Sequence, residues 1–138
     1  SPLMPRFALL YHDWPEGPRG SHCDLMIESD GVLRTWSLKL LPRSWQVFAN
    51  SQAGIAGVGI ETWNFVPADP LGNHRLAYLD YEGPVSGDRG QVRCLDRGEI
   101  ELLRNKVSSL NAVLKGQVLR NSTIDLERMD DGWELRVC

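Results

Sequence analysis

Apolar residues recur along this chain at short range, mostly with the two-residue period of strands. Residues 7–12, Phe7-Ala-Leu-Leu-Tyr-His12, form one compact apolar run. In His22–Glu28, Cys23, Leu25 and Ile27 alternate with His22, Asp24, Met26 and Glu28. Alternate positions on a strand face opposite ways, so the first set reads as core and the second as the solvent face. Ser29-Asp30-Gly31 is a turn signal, which makes Val32–Leu38 the hairpin partner. Further strands are predicted at Thr62–Val66, His74–Tyr81, Gln91–Leu95, Glu99–Leu103, Val113–Leu119, Ile124–Arg128 and Trp133–Val137. Turns fall at Asp96-Arg-Gly98 and Asp130-Asp-Gly132, and Lys106–Asn111 reads as either a short helix or a loop. Residues 42–72 carry Pro42, Gly54, Gly57, Gly59, Pro67, Pro70 and Gly72, which predicts a loop-rich insert. Short strands at this density, with no long amphipathic helix, predict one all-β domain over residues 1–138, a closed barrel or a sandwich.

Composition narrows the class without naming a function. The chain has 138 residues, 42% hydrophobic and 24% charged, as in an ordinary soluble domain. Neither a membrane span nor a signal peptide is visible, so a cytoplasmic protein is expected. Cys23, Cys94 and Cys138 form no CxxC pair and are expected to be reduced thiols. A net charge of −3 argues against a broadly basic nucleic-acid surface. With 15 Lys+Arg against 18 Asp+Glu, a local cationic groove remains open, from residues such as Arg19, Arg34, Arg75, Arg89 and Arg93.

The candidate chemistry lies with the histidines, of which the chain has three. His22 and Asp24 share one strand face, and His12 can approach from a neighbouring strand. Two imidazoles and a carboxylate can hold a divalent ion and leave positions open for water or a phosphate oxygen. The same spacing also suits ordinary strand side chains, so both readings stand on spacing alone. His74 and Tyr78, four apart on a predicted strand, would line one groove about 13 Å apart without touching. Gly83, Gly87 and Gly90 do not fit a P-loop, and no Gly-x-Ser-x-Gly occurs. The five tryptophans read as packing, with base stacking as the alternative for Trp14 and Trp45.

Taken in order, these segments resemble the 3′-phosphoesterase domain of bacterial DNA ligase D. The family pattern F-V-x-x-K-H, then L-H-Y-D-F-R-L-E-x-D-G-V-L-x-S-W, is similar to Phe7–His12 and Ser21–Trp36. Its H-P-L-D-Y-x-x-F-E-G resembles His74–Gly83, and its W-D-x-G resembles Leu95-Asp96-Arg-Gly98. The closing motifs resemble Leu114–Leu119, Leu126–Arg128 and Trp133–Leu135. The resemblance covers nearly the whole chain outside residues 42–72. It implies a small closed β-barrel of about eight strands with an active-site groove on its outer surface. It implies His12, His22 and Asp24 as metal ligands, with Mn2+ the usual ion and Zn2+ an alternative, and His74 and Tyr78 facing the scissile phosphate. It further implies removal of a phosphate or ribonucleoside from nucleic-acid 3′ ends in DNA repair, alongside a DNA ligase or repair polymerase. The chain departs from the pattern in four places, one of them the loop after Glu82-Gly83, which is shorter and lacks the family's Tyr-Gly. Met26 stands where the family has a phosphate-binding arginine, and Tyr11 stands where it has a lysine. Only six residues precede Phe7, where the family's N-terminal arm would lie. Arg34 and Arg75 are candidates to replace the lost arginine. Two other readings remain: a catalytically weak relative that binds nucleic-acid ends or a repair partner, and an unrelated cupin-like enzyme with its metal inside the barrel.

Overall fold

The computed structural model describes residues 4–138. Among these, eleven strands occur in chain order: β1 (Arg6–Asp13), β2 (His22–Ser29), β3 (Val32–Leu38), β4 (Leu40–Leu41), β5 (Gly59–Ile60), β6 (Phe65–His74), β7 (Gly83–Pro84), β8 (Gln91–Lys106), β9 (Ser109–Gly116), β10 (Ser122–Met129) and β11 (Gly132–Val137). β1, β2, β3, β6, β11, β10, β9 and β8 follow one another around an antiparallel sheet, and β1 pairs with β8 to close it. β7 adds to β8 as an extra strand, and β4 and β5 form a small separate parallel pair. Two 3-10 helices, Arg43–Asn50 and Leu76–Leu79, complete the regular structure. No helix among the described residues is long and apolar enough to cross a membrane.

The alternation seen in the sequence becomes the barrel wall. Phe7, Leu9 and Tyr11 of β1 and Cys23, Leu25 and Ile27 of β2 point inward with Trp36, Leu110, Leu126 and Leu135, all buried in one cluster. Side chains fill this interior, so the barrel has no central chamber of the cupin kind. Trp45 from the first 3-10 helix joins the same cluster at 0% exposure, which removes it as a base-stacking platform. Cys23, Cys94 and Cys138 are free thiols; burial pushes the Cys23 thiol well up, and the nearby Asp24 adds to this.

The outer face of β1–β2–β3 departs from expectation. It is not open to solvent. Ala8, Leu10, Met26 and Leu33 project outward, yet all are buried beneath Leu79 and Val92, with Tyr78 and Val85 packed against them. The 3-10 turn Leu76–Leu79 provides that cover. Expected as a strand over His74–Tyr81, the segment instead leaves the sheet after His74, whose register partner is Leu33. Beyond it the backbone bonds to itself, with Tyr78 N–H donating to the Arg75 carbonyl at 3.1 Å. Folding back this way buries Leu79 against the outer apolar row, which a continuing strand would leave bare.

Two other boundaries shift for identifiable reasons. The region expected to be loop-rich contains β6, a ten-residue strand extending well past Val66 despite Pro67, Pro70 and Gly72. Its first half, Phe65–Ala68, pairs with β11 and its second half, Asp69–His74, with β3. Each residue is therefore bonded on one side only, which leaves room for prolines that cannot donate. The turn expected at Asp96-Arg-Gly98 is instead the middle of one strand, β8. Its N-terminal half pairs with β1 and its C-terminal half with β9, and a register shift opposite Leu9/Leu10 marks a bulge there. Lys106–Asn111 is neither helix nor extended loop; β8 and β9 meet in a tight turn at Val107-Ser108.

Candidate metal centre

The β1–β2 register assembles the cluster. His12 stands opposite His22 and Leu10 stands opposite Asp24, so both imidazoles and the carboxylate leave the same outer face as near neighbours. The two rings lie 4.9 Å apart, edge to face. His22 and Asp24 are each 3% exposed. The possible ligand atoms of all three residues lie within 4.8 Å of one another. His12, His22 and Asp24 thus meet as the sequence predicts, in a covered pocket of the outer wall rather than on an open face.

The hydrogen bonds aim the rings. His12 Nε2–H donates to the Arg89 carbonyl at 2.6 Å, and His22 Nδ1–H donates to the Gly20 carbonyl at 2.9 Å. These partners assign the tautomers, because a carbonyl only accepts. The remaining lone pairs, on His12 Nδ1 and His22 Nε2, then face Asp24. His12 Nδ1 lies 3.8 Å from Oδ2, and His22 Nε2 lies 3.1 Å from Oδ1. Asp24 Oδ1 receives no well-formed hydrogen bond in this buried setting. A buried anion facing two lone pairs is costly. A cation between them resolves the conflict, and back-bonded imidazoles with a carboxylate are a donor set that divalent metals take. The residues fit a divalent ion.

Without a metal, a proton on His22 can serve in its place. Burial lowers the His22 pKa, but the hydrogen-bonded Asp24 carboxylate and the Gly20 carbonyl outweigh it and hold the value above the usual 6.5. A raised pKa in the folded state stabilises fully below the unfolded value, and that stability is lost as pH rises through the folded value. The metal needs the deprotonated ring, so its contribution runs the opposite way. The expected result is a manganese-induced rise in Tm that is larger at pH 8 than at pH 6. Thermal melts with and without manganese at both values check it; an equal or reversed increment contradicts the cluster as the binding site.

Backbone geometry holds the surroundings close. Trp14 stacks on His12 at 5.6 Å, and its backbone N–H donates to Ser21 Oγ at 2.9 Å. Gly90 has φ +70°, and a Cβ there would overlap the Asp13 carbonyl and the Trp14 side chain. The loop from Gly83 to Gly90 can therefore lie against β1 and present the Arg89 carbonyl to His12.

His74 and Tyr78 do come together, though not as a strand pair. Their rings meet edge to face at 5.6 Å because the chain turns after His74. Expected separate and about 13 Å apart, they are in contact. The His74 Nδ1 atom is buried and has no hydrogen-bond partner. Tyr78 packs against the outer apolar cluster and His74 is the register partner of its member Leu33; that cluster continues the Asp24 row through Met26 at 1% exposure. Arg34 is no substitute for the missing arginine. It stacks over Trp36 at 5.0 Å and Trp133 at 5.9 Å and donates to Asn105 and Lys106, at a site on the other side of the wall. Arg75, exposed beside Tyr78, remains available. Arg19 and Lys39, only the former of them named in the sequence reading, line a hollow of about 360 Å3 against His22; Arg19 is ion-paired with Asp69, and Lys39 donates to the Ser21 carbonyl at 2.7 Å. The carbonyls of Gly20 and Arg89 could not be foreseen, because a main-chain acceptor leaves no trace in residue type.

No family model matches the chain, and no curated protein matches it.

Proposed function

We propose that this protein is a divalent-metal-dependent phosphoesterase acting on nucleic-acid 3′ ends. The observation that carries the reading is the convergence of two back-bonded imidazole lone pairs on an unsatisfied buried carboxylate. Bound there, a divalent ion, manganese foremost and zinc second, would polarise a phosphoryl oxygen. The chain's own residues supply the rest. His12, His22 and Asp24 leave positions free for a phosphate oxygen, and His74, with an unpartnered ring nitrogen, is suited to hold or move a proton at the departing or attacking oxygen. Tyr78 orients His74 through ring contact. Substrate class comes from the resemblance to the end-healing domain of DNA ligase D. In such a role the protein works in the cytoplasm beside a DNA ligase or repair polymerase.

The test is a primer–template bearing a 3′-phosphate, incubated with protein and manganese. Phosphate release is expected, falling by roughly 10²–10⁴-fold in His74→Ala. Release that persists in His74→Ala contradicts the role given to His74, and no release at all contradicts the enzyme.

Met26 favours a second reading, a binder of nucleic-acid ends with little turnover. Its side chain is part of a closed apolar cluster and gives phosphate neither charge nor hydrogen bond. Tight binding of the same primer–template without phosphate release is the outcome that selects it.

A further inference from the structure

The metal centre and a second hollow share one wall. A cavity of about 250 Å3 lies between the 3-10 turn and the loop that follows β7, lined by Arg75, Ala77, Tyr78, Tyr81, Pro84 and Ser86. The loop from Gly83 to Gly90 forms its far side and, through the Arg89 carbonyl, also orients His12. That loop is internally braced: Val85 N–H donates to the Gly90 carbonyl at 2.9 Å, and the Arg89 guanidinium bonds back to Ser86. Cavity and metal cluster therefore sit on one outer face. Met26 is two residues from Asp24 along the same row, about 7 Å of strand rise, and lies beneath the turn that carries Tyr78.

The lining has a definite chemical character. Tyr78 and Tyr81 meet edge to face at 5.8 Å, which fixes both rings at right angles. The Tyr81 hydroxyl is tied to the Pro84 carbonyl, yet the residue keeps 38% of its surface open. Arg75 is exposed and makes no ion pair among the described residues. A rigid aromatic face beside a free guanidinium is the pairing by which single-stranded nucleic acid is held: the ring stacks a base and the cation meets the phosphate.

We infer that this cavity is a nucleoside subsite, in which Tyr81 stacks the base next to the scissile 3′-phosphate and Arg75 binds the phosphodiester linking it to the preceding nucleotide. The inference rests on the phosphoesterase reading and adds to it the place where the terminal nucleoside and the adjoining phosphodiester are held. It also gives Arg75 a role that Met26 does not perform, from a different element of the fold.

The probe is a dinucleotide with 2-aminopurine at its 3′-phosphorylated end, titrated into the protein with calcium in place of manganese. Stacking quenches the fluorescence of this base. Saturable quenching is expected, with affinity falling about tenfold in Arg75→Gln, the loss of roughly one charge-assisted contact. Tyr81→Ala is expected to abolish the quenching, while Tyr81→Phe, which keeps the ring, retains it. Manganese calorimetry on each variant separates this question from the metal reading, since neither residue contacts the cluster and wild-type metal affinity is expected in both. Quenching unaffected by Arg75→Gln and Tyr81→Ala overturns the subsite, as does inorganic phosphate displacing the probe as well as unlabelled dinucleotide does. Failure of manganese to bind wild-type protein, with the quenching pattern intact, removes the metal reading and leaves the subsite as a nucleotide-binding surface.

Discussion

His22→Ala is expected to abolish manganese binding at micromolar metal while leaving the barrel folded. Losing even an outer partner of a metal ligand commonly costs roughly 10–100-fold in affinity, and here a ligand itself is lost from a set of three. The barrel survives because His22 faces away from the interior cluster built by Cys23, Leu25 and Ile27. Asp24→Asn sharpens the test. In a purely structural cluster, removing the carboxylate's charge would cost stability. In a ligand cluster above the His22 pKa, where no imidazolium offsets Asp24, the metal-free protein carries a buried anion with an unsatisfied oxygen, so neutralising it removes a cost that the ion removes in the parent. At pH 8, the metal-free Asp24→Asn protein is therefore expected to melt at or above the parent's Tm and to gain nothing from manganese, whereas at pH 6 it loses the partner of protonated His22 and is expected to melt below the parent. Calorimetry and thermal melts read both results. Stoichiometric manganese binding by His22→Ala would end the assignment, as would a lower Tm of metal-free Asp24→Asn at pH 8.

The cluster was legible because its geometry is local. His22 and Asp24 share a face by strand period alone, and His12 needs only the hairpin register of β1 with β2 to join them. The interior rows were legible for the same reason. The outer face was misread because alternation distinguishes two faces of a strand and says nothing of what covers the second. Met26, set among His22, Asp24 and Glu28, looked like an odd member of a solvated row; it is a member of a second apolar cluster whose lid, Leu79, comes from 53 residues further along the chain. His74–Tyr81 has the composition of a strand, and what overrides it is that β3 begins at Val32, leaving no strand on that side to pair with residues beyond His74, together with the gain from burying Leu79. β6 was obscured by its prolines, which are tolerated only because two neighbours divide its length. In each case the deciding contact is long-range, so no window of sequence contains it.

Among the polar side chains, a large stability effect is expected of Asp96, which on sequence looks like an ordinary turn aspartate. Asp96 is 3% exposed and accepts backbone N–H groups from Arg97 (2.9 Å), Gln117 (2.8 Å), Val118 (3.0 Å) and Leu119 (2.8 Å). Its carboxylate fills the bend between β9 and β10 at the point where β8 changes neighbours, so one side chain joins three strands. Gly116 must be glycine for this to happen, since a Cβ would overlap the Asp96 carboxylate. Asp96→Ala strands four donors, at least one of them on the buried Leu119, and loses charge-assisted bonds that nothing nearby replaces. The expected cost is about 3 kcal/mol, the upper end for leaving a buried donor unsatisfied, because Gln117 and Val118 are exposed and water can take over part of what their N–H groups lose. Asp96→Asn keeps one acceptor oxygen but turns the other into a donor facing N–H groups, so it is expected to fall short of rescue. Gly116→Ala attacks the same contact from the opposite side, and because the two changes share one carboxylate their costs are expected not to add in the double variant. Denaturant unfolding of the three variants and the double measures this directly. A loss below about 1 kcal/mol for Asp96→Ala would mean that solvent or neighbouring groups satisfy the bend, and that the carboxylate is not what fixes β8 at the barrel corner.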